Sequence, residues 1–185
     1  MSKSIEVTRT YLQIERPSDF KSAVLDETAS RVERVASCPA SFYRYLYGEV
    51  GRFYHWVDRL GWSDQEIGAH LARPELSLWV MYEGGAPAGY FELERHEDGS
   101  TEIAYFGLIQ EFIGRGLGKH LLSEAVGRAF DEGANRVWLH TCTLDDPAAL
   151  PNYLKRGFTP FSQETYFTTV SAEEEQSGKW KRSKK

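Results

Sequence analysis

Three glycines at alternate positions, Gly114, Gly116 and Gly118, separate a segment with strand character from a segment with helix character. Glycine lets a ligand approach the backbone closely, and the first turn of a helix offers unpaired N–H groups at the positive end of its dipole. Together these properties favour binding of an anion, most often a phosphate. The spacing matches neither the P-loop, because His120 follows Gly118-Lys119, nor the dinucleotide fingerprint Gly-x-Gly-x-x-Gly. A glycine-rich turn without a ligand is the alternative.

The nucleophilic and metal-ligating residues form no familiar site. His140 and Cys142 lie two positions apart and would face the same side of a strand, but no third group that could orient them is identifiable. A packed pair is therefore favoured over an acyl-transfer pair. The five histidines lack the spacing of metal ligands and the two cysteines lack zinc-site spacing, so we expect reduced thiols and no metal site.

Composition and charge argue against several classes of protein. The chain has 185 residues, 41% hydrophobic and 26% charged, which suits one globular domain. No apolar run approaches the ~20 residues that span a bilayer, and the first residues lack the apolar core of a signal peptide. We therefore expect a cytoplasmic protein without membrane contact. A net charge of −5 argues against nucleic-acid binding.

Sequence periodicity predicts one mixed α/β domain over residues 1–171. Strands are predicted at 5–15, 76–82, 88–96, 101–109 and 136–141, and two strands or a bent hairpin at 158–170. Helices are predicted within 41–62, at 63–72, from the glycine loop to Gly133, and at 147–157, where Pro151 should keep the helix short or bent. Residues 20–37 fit a short helix or an irregular connection. The strand–helix–strand unit at 101–141 indicates local parallel pairing. The charged tail 172–185 is expected to be disordered.

Two motifs in this order resemble the GNAT superfamily of acetyl-CoA-dependent N-acetyltransferases. The family's Gln/Arg-x-x-Gly-x-Gly/Ala signature, which follows its fourth strand, is similar to residues 113–118, with Ile113 in place of Gln or Arg. A second family pattern is similar to residues 146–158, where Asp146 replaces an Asn and the matching residues are Ala149, Tyr153, Gly157 and Phe158. The resemblance implies the GNAT fold, a central, mostly antiparallel sheet with splayed fourth and fifth strands, flanked by helices.

The resemblance also implies which residues bind acetyl-CoA. The pantetheine arm would lie between the splayed strands, against Phe106, Gly107 and Leu108, and the N–H of Leu108 would stabilise the oxyanion. The pyrophosphate would rest on the backbone of the glycine loop. The binding residues implied there are Gly114, Arg115, Gly116, Leu117, Gly118 and Lys119, and the second motif adds Asp146. For Arg115 and Lys119, a solvated basic surface is the alternative.

Acetyl transfer to an amine needs a base for the amine and an acid for the departing thiolate. By the resemblance, Tyr153 stands at the family's general acid and Glu102 at the glutamate base of its histone acetyltransferase branch. We expect Glu102 to share one strand face with Ala104 and Phe106. The alternatives are a core-packed aromatic for Tyr153 and a solvent-exposed strand-end carboxylate for Glu102.

The aromatic segment from Phe42 to Trp62 stands where the family places much of the acceptor site. Glu49, Asp58 or His55 would bind an ammonium group there, unless the segment only packs on the sheet. The predicted function is N-acetylation of a small-molecule or peptide amine by direct attack in a ternary complex, by a monomer or homodimer. A non-catalytic CoA-binding module is the alternative, and Ile113 and Asp146 favour it.

Overall fold

The computed structural model describes residues 2–25 and 30–178. The strands in this part of the chain are β1 (Lys3–Ile14), β2 (Arg31–Arg34), β3 (Leu76–Glu83), β4 (Ala86–Arg95), β5 (Ser100–Leu108), β6 (Arg136–Cys142) and β7 (Thr159–Val170). The helices are α1 (Ala40–Gly51), α2 (Asp64–Leu71), α3 (Leu117–Asp131), α4 (Ala149–Lys155) and α5 (Ala172–Ser177). The strands form one sheet in the order β2-β3-β4-β5-β6-β1-β7, antiparallel except between β5 and β6. The mixed α/β class and the mostly antiparallel sheet are as predicted.

Different helices cover the two faces of the sheet. On the α1 face, Tyr43 and Val50 of α1 and Ile67 of α2 pack against buried side chains of β3 and β4. On the α3 face, the apolar stripe of α3 packs against the sheet beside Tyr153 of α4. The buried side chains of that stripe are Leu117, Leu121, Leu122, Ala125, Val126 and Ala129. Because helices cover both faces of the sheet, a ligand can reach its middle only through an opening between two strands.

Several local predictions are confirmed because the responsible residues are close in sequence. Ser63 and Glu66 form a reciprocal capping box that starts α2. Gly84 and Gly85, both with positive φ, make the two-residue turn between β3 and β4. Helix α4 is short, as the prediction from Pro151 stated, and spans Ala149–Lys155 within the predicted 147–157. None of the helices in the described residues is long and apolar enough to cross a bilayer.

The predicted splay lies between β5 and β6. Their parallel pairing covers only Ser100–Glu102 of β5 and Arg136–Trp138 of β6. Both strands continue beyond this point, β5 to Leu108 and β6 to Cys142, without further pairing to each other in the described chain. The unpaired ends define a wedge-shaped opening, here called the β5–β6 gap, which widens towards the glycine loop.

One segment in the first quarter of the chain differs from the sequence prediction. Strand β1, predicted at residues 5–15, lies between β6 and β7, antiparallel to both. Residues 31–34, expected in a short helix or an irregular connection, form β2 at the sheet edge beside β3. This strand is four residues long and mostly exposed, so its pattern carries little hydrophobic signal.

The end of the chain differs as well. Residues 159–170 form the single strand β7, not two strands or a hairpin, because β1 supplies a partner along its whole length. Residues 172–177, expected to be disordered, form α5, which a capping box between Ser171 and Glu174 starts. The remainder of the predicted tail, from residue 179, lies outside the described residues.

Candidate active site

The glycine loop presents the amino end of α3 without a side-chain cap. Gly114 and Gly116 have φ values of +88° and +79°, a conformation that L side chains rarely adopt. Gly116 is the N-cap of α3, and the first turn of the helix contains no acidic residue. The first-turn N–H groups therefore remain available to an external anion.

Two basic side chains border this loop in different ways. A Cβ built on Gly116 would lie 3.3 Å from Cε of Lys119, so the lysine stem runs directly over the loop. The Arg115 guanidinium instead donates to the carbonyl of Glu111 at 2.9 Å and lies 5.2 Å from the ring centre of Phe112. The Lys119 side chain therefore lies over the glycine loop, whereas the Arg115 guanidinium is directed back towards residues 111–112.

The end of β5 lines one side of the β5–β6 gap. Phe106 points to the α3 face and pairs across the sheet with Phe91, whereas Gly107 points to the α1 face. A Cβ on Gly107 would come within 2.5 Å of Cγ1 of Val50, so the packing of α1 requires glycine at this position. The absence of a side chain at Gly107 therefore lets α1 pack directly on the strand backbone beside the gap.

Tyr153 stands on the α3 side of the gap. Its ring centre lies 6.3 Å from Phe106 and 5.8 Å from Phe158, both edge-on, and the residue is 9% exposed. Burial, helped by the charge of Asp145, raises the pKa of the phenol well above its ordinary value. The hydroxyl therefore stays protonated at neutral pH, as a proton donor must.

Glu102 lies on the opposite face from Phe106, contrary to the expectation of a shared face. Between Glu102–Glu94 and Phe106–Phe91, the ladder of β4 and β5 contains a bulge in which Ala104 has no partner. The extra residue reverses the alternation, so Glu102 faces the α1 side together with Tyr105. One carboxylate oxygen is 3.2 Å from Nε2 of His96 and the other is 3.4 Å from Nδ1 of His140.

The two side chains predicted to act on protons therefore occupy opposite sides of the gap. Tyr153 is on the α3 face and Glu102 is on the α1 face, at the closed end where β5 and β6 still pair. The glycine loop lies at the open end. The model of the acetyltransferase (GNAT) family matches residues 38–158, which include all of these elements. The chain belongs to the GNAT family.

Relatives of this GNAT chain include two larger proteins. A mycothiol acetyltransferase of Corynebacterium efficiens is 28% identical over 113 residues, which are 57% of this chain and 37% of that protein. A mycothiol acetyltransferase of Corynebacterium aurimucosum is 34% identical over 91 residues, 45% of this chain and 30% of that protein. The GNAT chain thus spans about a third of the length of the curated relatives that it matches.

Solved structures resemble the GNAT chain in fold. A GCN5-related N-acetyltransferase from Kribbella flavida superposes with a TM-score of 0.62 and 22% identity, over 89% of this chain and 58% of that one. The ribosomal-protein-S18-alanine N-acetyltransferase of Escherichia coli gives a TM-score of 0.57 and 12% identity, over 76% and 92% of the two chains. At these identities the likeness establishes the fold alone.

Segment 52–62 of the GNAT domain, which follows α1, crosses the α1 face. At one end, the Tyr54 hydroxyl donates to Asp146 at 3.1 Å. Asp146 also accepts from the N–H of Ala148 at 2.9 Å, so it ties this segment to the connection before α4. At the other end, Asp58 accepts from the Tyr105 hydroxyl at 3.1 Å. Segment 52–62 thus bridges from β5 to the far side of the gap.

Of the three side chains proposed to bind an ammonium group, two already lie beside an oppositely charged or acidic partner. Glu49 lies 3.6 Å from the Arg52 guanidinium. His55 contacts Glu174 of α5 through Nδ1 at 2.8 Å and Thr168 through Nε2 at 3.4 Å. Asp58 is exposed and has only the Tyr105 hydroxyl as a hydrogen-bond donor in the described chain. Much of the aromatic segment packs in the core, as the alternative prediction stated.

A buried ion pair that the sequence analysis missed anchors segment 52–62. Arg59 donates to both carboxylate oxygens of Glu92, at 2.7 and 2.9 Å, and Glu92 is 0% exposed. His70 Nε2 and the Tyr43 hydroxyl complete its shell at 3.1 and 2.6 Å. Burial alone would raise the pKa of Glu92, but the bond from His70 and the Arg59 guanidinium hold it below its ordinary value. The sequence signal was a carboxylate inside the apolar run of β4.

The Cys142 thiol is unsuited to covalent catalysis. Burial and the nearby Asp145 carboxylate raise its pKa to about 11, so very little thiolate exists at neutral pH. This supports the packed alternative to an acyl-transfer pair with His140. Among the described residues, no group of three His, Cys, Asp or Glu side chains is placed to hold a metal ion.

Proposed function

We propose that this GNAT domain transfers an acetyl group from acetyl-CoA to a primary amine by direct attack in a ternary complex. The observation that carries the proposal is the β5–β6 gap, which has an uncapped helix amino end at its open end and a buried, protonated tyrosine on one side. This arrangement offers one place for a phosphate-bearing thioester and a proton donor next to it.

The residues at the gap fit acetyl-CoA as the donor. The amino end of α3 supplies free N–H groups for a pyrophosphate, and Lys119 adds a positive charge over the same loop. Residues Phe106, Gly107 and Leu108 of β5 have no pairing to β6, so their backbone groups on that edge can bond an extended pantetheine arm. The Leu108 N–H is assigned to the oxyanion. Bound acetyl-CoA supplies the activated acetyl thioester.

Asp146 would act on the donor indirectly. Its carboxylate is engaged by Tyr54 and by the Ala148 N–H, which fixes the connection between β6 and α4. That connection leads into the helix carrying Tyr153. We therefore assign to Asp146 the positioning of the acid rather than a direct bond to the donor. Arg115 is assigned to the periphery of the pyrophosphate site.

The acid and the base would act from opposite faces of the sheet. Tyr153 protonates the departing thiolate from the α3 face, where its position beside Phe106 of β5 brings the phenol next to the gap and its hydroxyl still carries the proton at neutral pH. The amine reaches the thioester from the α1 face, where the Glu102 carboxylate promotes the loss of its proton. Segment 52–62 crosses that face, and the exposed Asp58 carboxylate can attract an ammonium group.

The proposal is tested by thiol release from acetyl-CoA with the purified protein and a panel of small amines, amino acids and peptides. We expect release that depends on the amine. Tyr153→Phe should lower kcat by ~10²–10⁴-fold while the dissociation constant of acetyl-CoA stays the same, because charge on the thiolate develops only in the transition state.

Tyr82→Phe is the matched control, since Tyr82 lies on β3, outside both the aromatic segment and the β5–β6 gap, with the Arg31 guanidinium 5.2 Å from its ring centre. It should behave as the unsubstituted protein does. Acetyl-CoA binding without amine-dependent thiol release would contradict the enzyme and favour the non-catalytic CoA-binding module. Unchanged turnover in Tyr153→Phe would remove the assigned acid.

A further inference from the structure

We infer that His140 is the catalytic base that takes the proton from the acceptor amine and that Glu102 acts through it as a positioning residue. The inference rests on the proposed function and reassigns the base within the same site. Its basis is the position of the His140 imidazole on the α1 face. His140 lies in the part of β6 that does not pair with β5, two residues beyond Trp138, the partner of Glu102.

Side chains on the two neighbouring strands, β5 and β1, lie beside the His140 ring. In the parallel ladder, Glu102 pairs with Trp138, the last paired residue of β6, and His140 follows two positions later. Its Nδ1 lies 3.4 Å from Oε1 of Glu102, and its ring centre lies 5.7 Å from the Tyr11 ring on β1. A carboxylate beside Nδ1 favours the tautomer with its proton on that nitrogen, which leaves the lone pair on Nε2.

The remaining four histidines are committed elsewhere. His70 is buried against Glu92, and both ring nitrogens of His55 have partners. His120 is buried on α3 and accepts from the N–H of Leu25. His96 lies in the connection between β4 and β5, at the end of the strands away from the glycine loop. Only His140 stands on a strand that lines the gap.

The exposure of the two groups separates their roles. The Glu102 side chain is 14% exposed and lies between two imidazoles, whereas the His140 side chain is 33% exposed. A base that turns over must return its proton to solvent, which the more exposed group does directly. A neutral imidazole can accept a proton on one ring nitrogen while the other nitrogen donates to a carboxylate, which suits a base that Glu102 holds in place.

The reaction balances with the groups present. Nε2 of His140 takes one proton from the ammonium, and the freed nitrogen lone pair forms the C–N bond at the thioester carbonyl carbon. The C–S bond then breaks with its electron pair on sulfur, and the Tyr153 hydroxyl protonates the thiolate. The second amine proton leaves to solvent, from which Tyr153 regains a proton and to which His140 releases its own. Ammonium and acetyl-CoA thus give amide, CoA thiol and one proton.

Other titratable groups also surround His140. Glu102 faces it from β5, with His96 on the far side of the same carboxylate. Tyr11 faces it from β1, and the Tyr11 hydroxyl donates to Glu164 of β7 at 2.8 Å. Arg9 pairs with the same glutamate at 3.1 Å, so that carboxylate is already neutralised. Glu102 is therefore the anion that acts on the imidazole.

The test is a pH profile of amine-dependent thiol release for His140→Gln, Glu102→Gln, the double variant and His96→Gln. His140→Gln should lower kcat/KM by ~10²-fold or more near pH 7, because a general base contributes about that much. The loss should shrink as the pH approaches the amine's own pKa, where the amine deprotonates unaided. The double variant should be no slower than His140→Gln, since the two residues act as one unit.

His96→Gln is the control that touches the same carboxylate from the other side, and it should retain the original rate. A thermal shift with acetyl-CoA equal to that of the unsubstituted protein would show that each variant is folded and binds the donor. The inference is overturned if His140→Gln keeps its rate, or if the two substitutions multiply, which would make Glu102 an independent base. If the unsubstituted protein shows no amine-dependent thiol release, the result would instead contradict the proposed function.

Discussion

Removal of Arg59 should expose how strongly segment 52–62 depends on one buried charge pair. Arg59→Met keeps an apolar side chain but removes the guanidinium, whose central carbon lies 4.1 Å from the ring centre of Tyr105 and which contacts both oxygens of Glu92. Glu92 would then be a fully buried carboxylate whose remaining hydrogen-bond partners are His70 and Tyr43. Neither of these side chains carries a permanent positive charge.

The expected cost follows from this burial. Breaking a buried ion pair by removing one partner costs about 3–5 kcal/mol, because the remaining charge is left uncompensated. For a chain of this length, each kcal/mol lowers Tm by roughly 2–4 °C, so a fall of roughly 6–20 °C is expected. Arg31→Ala is the control, since its pair with Glu33 is exposed, and such pairs contribute about 0–1 kcal/mol.

The sign of the pH dependence separates lost charge pairing from lost packing. In the unsubstituted protein the pKa of Glu92 is lowered, so its contribution to stability is present above the ordinary carboxyl pKa and is lost as the pH falls through the lower folded value. Without Arg59, burial dominates and raises the pKa of Glu92, so protonation of Glu92 removes the unpaired buried charge and stabilises the variant. The loss of unfolding free energy relative to the unsubstituted protein should therefore be largest at pH 7 and smaller near pH 5.

Denaturant unfolding of Arg59→Met and of Arg59→Met/Glu92→Gln at both pH values provides the measurement. Glu92→Gln removes the uncompensated charge, so the double variant should recover most of the stability that the single variant lost. A loss no larger than that of Arg31→Ala, or a double variant less stable than Arg59→Met, would refute the assignment of Arg59–Glu92 as the anchor.

Two further outcomes follow from the glycines. Gly116→Asp places a side chain and a negative charge at the amino end of α3, so the stabilisation by acetyl-CoA at ~100 times its dissociation constant, ~2.7 kcal/mol, should disappear in a thermal shift; an unchanged shift would locate the donor elsewhere. Gly107→Ala should destabilise by roughly 1–3 kcal/mol through contact with Val50, whereas Gly48→Ala, with nothing within 4 Å in helix α1, should stabilise by about 0.5–1 kcal/mol. Equal effects of these two substitutions on denaturant midpoints would contradict the packing at Gly107.

The sequence predicted the features that depend on a few adjacent residues. The capping box at Ser63, the turn at Gly84-Gly85 and the glycine loop each use local backbone chemistry, which periodicity and residue type reveal. The two family motifs placed Tyr153 and Glu102 on the correct elements. Their faces were harder to predict, because one unpaired residue, Ala104, reverses the alternation of β5, and a bulge leaves no clear mark in a single sequence.

Long-range partners were beyond the same reasoning. In the sequence, Arg59 is an ordinary arginine of a connecting segment and Glu92 is an unusual carboxylate in a strand. Only the fold brings these two side chains into contact. The position of β1 in the sheet was not predictable for a related reason. Its alternation predicted a strand correctly, but strand order depends on pairing between distant segments, which hydrophobic patterning does not encode.

The insertion of β1 between β6 and β7 has a consequence for how the chain reaches its native state. Both neighbours of the earliest strand are synthesised late: Thr8 bonds Thr143, 135 residues away, and Arg9 bonds Glu164, 155 residues away. Closing such long loops delays native contacts. During translation, the apolar side chains of β1 therefore stay uncovered until nearly the whole described chain has been synthesised. Strand β6, which carries His140 on one side of the gap, gains its β1 partner only at that stage.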